Sequence, residues 1–138
     1  MHPSFREIFM RKPIKATHHN FFDYAAVAVF LLAPSVLGFA GQPANLSYLA
    51  GIVLLLLTLS SDMPLGIAKI LKGQYHGYVE LAGGVVLIAL PWLLGYTGNP
   101  SWFFMAMGAA MLLVWFFTNY RMGMMERAKR ARDPVKRY

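Results

Sequence analysis

The chain contains no cysteine. That excludes a disulfide framework and any thiolate metal site. Charge is scarce as well. Only 14% of the residues are Asp, Glu, Lys or Arg, against about 25% in a soluble domain. The scarcity is local. No charged residue falls between Asp23 and Asp62, a run of 38, or between Glu80 and Arg121, a run of 40. A fully buried helical core of a soluble protein would still need a polar face toward water, and neither run offers one. What fills the runs is apolar: 57% of the whole chain is hydrophobic.

A bilayer-spanning helix needs roughly 20 apolar residues. Each charge-free run is about twice that length. Each carries a turn signal near its middle, Gly41-Gln-Pro43 in the first and Gly98-Asn-Pro100 in the second. Glycine loosens the backbone and proline removes a donor, so both punctuate helices. The expectation is an all-α membrane protein of four transmembrane helices, arranged as two helical hairpins. The spans are expected at about Asn20–Phe39, Leu46–Ser61, Gly77–Tyr96 and Trp102–Tyr120. The segments are then a lead over 1–18, a first hairpin repeat over 19–62, a connector over 63–75, a second repeat over 76–120 and a basic tail over 121–138. Pro64 and Gly73 argue against a continuous helix through the connector. Phe5, Ile8 and Phe9 in the lead have the spacing of an interfacial helix. The first apolar run is too long and too late for a cleavable signal peptide.

The 13 basic residues set an orientation. Arg6, Arg11, Lys12 and Lys15 precede the first span, and Lys69 and Lys72 lie in the connector. Arg121, Arg127, Lys129, Arg130, Arg132, Lys136 and Arg137 follow the last span. None lies in either hairpin turn. Positive residues stay on the cytoplasmic side, so both termini and the connector are expected there, an N-in/C-in topology. Aromatic belts agree: Tyr48, Trp92, Tyr96 and Trp102 fall near the outer ends, and Tyr24, Tyr75, Tyr78 and Tyr120 near the inner ends. The basic tail is expected to meet anionic lipid headgroups rather than nucleic acid.

The chain also repeats itself. Sliding it by 57 residues aligns the hairpins without a gap, with 11 of the 44 positions from 19 to 62 identical. His19 falls on His76, Asp23 on Glu80, Ala25 on Ala82, Pro34 on Pro91, Leu37 on Leu94, Gly38 on Gly95, Gly41 on Gly98, Pro43 on Pro100 and Gly51 on Gly108. Each part has a physical use. Pro34 and Pro91 loosen the last turn of a span. Gly38 and Gly95 can close it in a left-handed conformation. Pro43 and Pro100 suit the first turn of the returning helix. Gly51 and Gly108 permit close helix approach. Two spans per repeat give both copies the same orientation, so the expected relation is a pseudo-two-fold axis along the membrane normal.

His19-Asn-Phe-Phe-Asp23-Tyr24 with Ala33-Pro34-Ser35-Val36-Leu37-Gly38, and His76-Gly-Tyr-Val-Glu80 with Leu90-Pro91-Trp92-Leu93-Leu94-Gly95, resemble the SPW-repeat family of small bacterial integral membrane proteins. That repeat has an acidic residue early in a helix and a Ser-Pro-Trp-x-Leu-Gly-type motif at its end. The resemblance covers roughly residues 18–120. The first copy reads Ala-Pro-Ser and the second Leu-Pro-Trp at the family's signature. The resemblance implies a multi-pass protein of the bacterial inner (plasma) membrane and no particular activity.

One constellation bears on chemistry. His19 and Asp23 are four apart, as are His76 and Glu80, so each pair shares a helix face. His18 adds a third imidazole. Four uses compete: histidine ligation of a haem or metal, a His–carboxylate proton relay, binding of a headgroup or a partner's basic residue, and a structural tie at the helix starts. The six methionines at 105, 107, 111, 122, 124 and 125 suggest either a copper path or plain packing, and packing is favoured. No nucleophile–base set or phosphate loop is visible. The expectation is therefore a non-enzymatic structural or accessory subunit with no assigned cofactor or metal, acting as a homo-oligomer or within a larger membrane complex. The alternative is a redox, proton or ion-handling component using His19, Asp23, His76 and Glu80.

Overall fold

A computed structural model describes residues 16–118 and Arg132. The interfacial lead with Phe5, Ile8 and Phe9, Tyr120, and the rest of the basic tail lie outside the described residues. Four helices account for most of the remainder: α1, Ala16–Leu37; α2, Gln42–Ser60; α3, Gly73–Leu94; α4, Asn99–Phe117. All four are long and apolar enough to cross a membrane. Their outward faces carry Val36, Trp92, Leu93 and Trp102, each more than 70% exposed, a surface that suits lipid and not water.

The helices begin three or four residues before the expected spans and end one to three residues before them. Hydropathy marks the apolar stretch, whereas a helix starts where its backbone first closes. Pro43 and Pro100 sit in the first turn of α2 and α4, where the missing N–H has no helical partner to lose. Before them Gly41 and Gly98 take φ of 69° and 66° with ψ near −142° and −143°, close to a region that only glycine enters readily. At the other side of each turn, Tyr96 N–H donates to the Pro91 carbonyl at 2.9 Å and Phe39 N–H to the Pro34 carbonyl at 3.1 Å. Gly95, at φ 68° and ψ 31°, makes the left-handed reversal that this closure requires.

Pro34 has a cost that the structure offsets. Its ring nitrogen cannot donate to the Phe30 carbonyl one turn earlier. The Ser47 hydroxyl of α2 donates to that carbonyl instead, at 2.6 Å, with Ser47 and Phe30 both buried. The corresponding position of the second repeat is Phe104, which is fully buried and brings no donor.

The two hairpins, α1–α2 and α3–α4, are the closely packed units. In the second hairpin a Cβ on Gly108 would stand 2.6 Å from the Gly84 carbonyl oxygen and 2.7 Å from Ile88. Only glycine allows that approach. Between the hairpins α1 packs on α4. Phe30 and Phe103 meet edge to face at 5.6 Å, and Phe39 and Phe104 complete the aromatic centre. At the turn end, Asn99 Nδ2 donates to the Leu37 carbonyl at 2.9 Å and the Tyr96 hydroxyl to Gln42 Oε1 at 3.2 Å. The opposite end holds the histidines and acids.

The connector between α2 and α3 folds back on the end of α2. The N–H groups of Ile67 and Ala68 donate to the Leu59 carbonyl, and those of Ile70 and Leu71 to the Ser60 carbonyl. These bonds satisfy carbonyls that a helix end leaves open. Asn20 Oδ1 accepts from Leu65 N–H at 3.1 Å, and the Tyr24 hydroxyl donates to the Leu65 carbonyl at 2.8 Å. The connector is thereby fastened to α1 beside the site.

Candidate functional site

His19 lies in the first turn of α1 and Asp23 one turn on; His76 and Glu80 repeat the arrangement in α3. The i, i+4 spacing stacks each pair on one face. Packing of the hairpins then turns the two faces toward each other. The four side chains form one closed cluster, with relative exposures of 0% for both histidines and 3% for both acids. Nε2 of His19 stands 2.8 Å from Glu80 Oε2 and 3.3 Å from Asp23 Oδ1. Nε2 of His76 stands 3.1 Å from Asp23 Oδ2 and 3.6 Å from Glu80 Oε1. The shorter contact of each imidazole is to the acid of the other hairpin, so the cluster joins the repeats. The two rings meet edge to face with centroids 5.6 Å apart.

The outer nitrogens differ. Nδ1 of His19 is 2.8 Å from the Thr118 hydroxyl at the end of α4. Nδ1 of His76 has no hydrogen-bond partner, nor does the buried Ser61 hydroxyl. Ser61 and Thr118 are related by the 57-residue shift. Sequence reasoning missed both, although a hydroxyl in the same register of each repeat was a usable signal. His18 is exposed and stands apart from the cluster.

The geometry narrows the chemistry. A haem held by two histidines needs a porphyrin plane between them. Here the carboxylates lie within 3.6 Å of both Nε2 atoms, so among the described residues no slot for that plane lies between the imidazoles. One ligand atom from each of the four residues can be chosen so that all lie within 4.8 Å of one another, which suits a single metal ion. A small cavity of about 110 Å³ adjoins the acids, lined mainly by apolar groups including Phe22, Ala26, Met107 and Met111. Met107 and Met111 also pack against the buried core, as the packing reading expects. Met122, Met124 and Met125 lie outside the described residues.

The SPW repeat domain model matches residues 17–118. The chain is a member of that family. With four membrane-length helices and an internal repeat, it is a small multi-pass membrane protein, in keeping with the bacterial inner membrane. No curated protein matches the chain, and no solved structure does.

Proposed function

We propose that the protein is a non-enzymatic, ion-handling membrane component whose working site is the cluster of His19, Asp23, His76 and Glu80. One observation carries this reading: four ionisable side chains, none more than 3% exposed, gathered in a bundle that buries no other ionisable side chain among the described residues. Ionisable groups within a membrane are costly and mark ion or proton sites. A purely structural tie is the weaker account. A buried salt bridge contributes little net stability compared with apolar packing of the same volume. The hairpins are also already joined by the Phe30–Phe103 contact and by the Asn99 and Tyr96 hydrogen bonds. The accessory-subunit reading therefore yields to the ion-handling one.

The basic residues support an N-in/C-in orientation, which puts the cluster at the cytoplasmic side beside the connector. The tail over 121–138 would meet anionic headgroups there, and small and aromatic residues suit assembly with further copies or a membrane partner.

The test is thermal melting of the purified chain in mild detergent across pH and a series of mono- and divalent cations. At least one cation, the proton included, is expected to shift the midpoint by several degrees. The double variant Asp23→Asn/Glu80→Gln should abolish that shift. Melting indifferent to every cation and to pH would refute the reading.

A further inference from the structure

The hydrogen-bond network around Thr118 fixes where the His19 proton sits. The Thr118 hydroxyl oxygen lies 2.5 Å from the Val114 carbonyl and 2.8 Å from His19 Nδ1. A carbonyl brings no hydrogen, so at that separation the hydroxyl hydrogen lies between the two oxygens. The hydroxyl then has only a lone pair for His19, and Nδ1 must carry a hydrogen and donate it. In neutral His19, Nε2 therefore carries the lone pair that can ligate a cation. It faces carboxylate oxygens of Glu80 and Asp23 at 2.8 and 3.3 Å. Electron-rich atoms that close are held together by a positive charge among them, a proton on Nε2 or a metal ion in its place.

His76 adds a second, independent indication. Its Nε2 is within 3.6 Å of both acids, yet neither it nor Asp23 Oδ2 makes a hydrogen bond, and both atoms are fully buried. The groups are close but not aligned for hydrogen bonding. Buried, unpartnered atoms this close to both acids are what a shared cation would satisfy.

We propose that His19, Asp23, His76 and Glu80 form a binding site for one divalent first-row transition-metal ion of the zinc class. Both imidazoles ligate through Nε2, each acid through one oxygen, and Thr118 positions His19. The inference rests on the ion-handling reading and names its cation. Charge selects the valence: two carboxylates and two neutral imidazoles balance a dication, which leaves a neutral site in a low-dielectric setting. Donor type selects the metal class. Imidazole nitrogen suits zinc and its neighbours, whereas calcium and magnesium take oxygen. Distance permits it. Bonds of about 2.0–2.2 Å in a tetrahedral site set neighbouring donors about 3.4 Å apart, and one donor atom from each of the four residues can be chosen with all within 4.8 Å of one another, so a small side-chain shift brings the set onto one ion. A histidine ligand whose other nitrogen donates a hydrogen bond is the usual supporting arrangement.

The experiment uses the full chain in detergent, stripped with chelator and titrated with Zn²⁺, and with Co²⁺ as a spectroscopic probe. One Zn²⁺ per chain is expected, with strong visible absorption for Co²⁺ in a four-coordinate site. Asp23→Asn, Glu80→Gln and His76→Gln should each weaken binding at least 100-fold, and His18→Ala should leave it unchanged. Thr118→Val keeps all four ligands and should weaken binding about 10- to 100-fold, with Thr118→Ser restoring it. Should a ligand variant fail to fold, the Thr118 pair decides. Absence of Zn²⁺ binding tighter than millimolar, or binding indifferent to the ligand and Thr118 variants, overturns the proposal. If Zn²⁺ fails while another cation or the proton stabilises the wild type through the cluster, the metal assignment falls and the ion-handling reading stands. If nothing acts through the cluster, both fall.

Discussion

Replacing Asp23 with alanine removes one carboxylate from a site in which each imidazole Nε2 stands closest to the acid of the other hairpin. Asp23 is 3% exposed and touches both imidazoles, at 3.3 Å in its own helix and 3.1 Å in the other. Breaking a buried pair from one side costs about 3–5 kcal/mol, because the remaining partner is left uncompensated. Removing the partner as well should recover part of that loss. Asp23→Leu with His76→Leu leaves the shortest contact, His19 to Glu80 at 2.8 Å, and fills the vacated space with apolar atoms. The double variant should therefore cost less than the two single variants together, by about 1–3 kcal/mol, within the range found for residues in one network. Reversible unfolding in mixed micelles, followed by circular dichroism, gives the three differences needed. An Asp23→Ala cost under about 1 kcal/mol, the level of an ordinary substitution, would refute the reasoning. So would strict additivity, since it would mean that Asp23 and His76 do not act on each other.

Three further outcomes follow from the fold. Ser47→Ala leaves the Phe30 carbonyl without a partner and should cost about 1–3 kcal/mol in the same unfolding assay, whereas Ser35→Ala, at an exposed position, should change little. Gly108→Ala drives a methyl to within 2.6 Å of the Gly84 carbonyl and should destabilise the second hairpin by about 1–3 kcal/mol through overpacking; a neutral result would place the helices farther apart. Because the chain has no cysteine, single cysteines report topology directly. Lys69→Cys should react with an impermeant thiol reagent only from the cytoplasmic side, and Ala40→Cys and Thr97→Cys only from the other side; the reverse pattern would invert the orientation.

Much of this molecule is legible in its sequence because the bilayer imposes few solutions. Two charge-free runs, each broken by a Gly-x-Pro turn, leave little choice but two hairpins. The 57-residue shift pairs His19–Asp23 with His76–Glu80, and helical spacing puts each pair on one face. What the shift does not contain is the distance between the hairpins. That depends on how Phe30, Phe39, Phe103 and Phe104 pack, and aromatic side chains of similar size can pack at several separations. The helices start earlier than the hydropathic spans for a related reason: hydropathy reports lipid contact, while Gln42 and Asn99 begin helices as polar residues beside a proline. Ser47 is not legible because a lone hydroxyl in an apolar helix has no chemical signature until the carbonyl it serves is in place, and Thr118 is marked only by its register with Ser61.

The repeat is least symmetric where the chemistry is concentrated. Thr118 holds the outer nitrogen of His19 at 2.8 Å. Its counterpart Ser61 is equally buried, yet neither its hydroxyl nor Nδ1 of His76 has a hydrogen-bond partner. The two hydroxyls should therefore respond differently to removal. Thr118→Val strips a made hydrogen bond from a buried ring and should cost about 1–3 kcal/mol. Ser61→Ala deletes an unpartnered group and should cost no more than about 0.5 kcal/mol, the level of a substitution that breaks no named interaction. Equal costs would mean that Ser61 does hold His76 and that the site is a true two-fold. Unequal costs would mean that the site joins one imidazole fixed from outside to one oriented only by the acids it faces. A cation entering the cluster would then reorient His76 far more readily than His19, which makes His76 the ligand whose ring resonances should move most on binding.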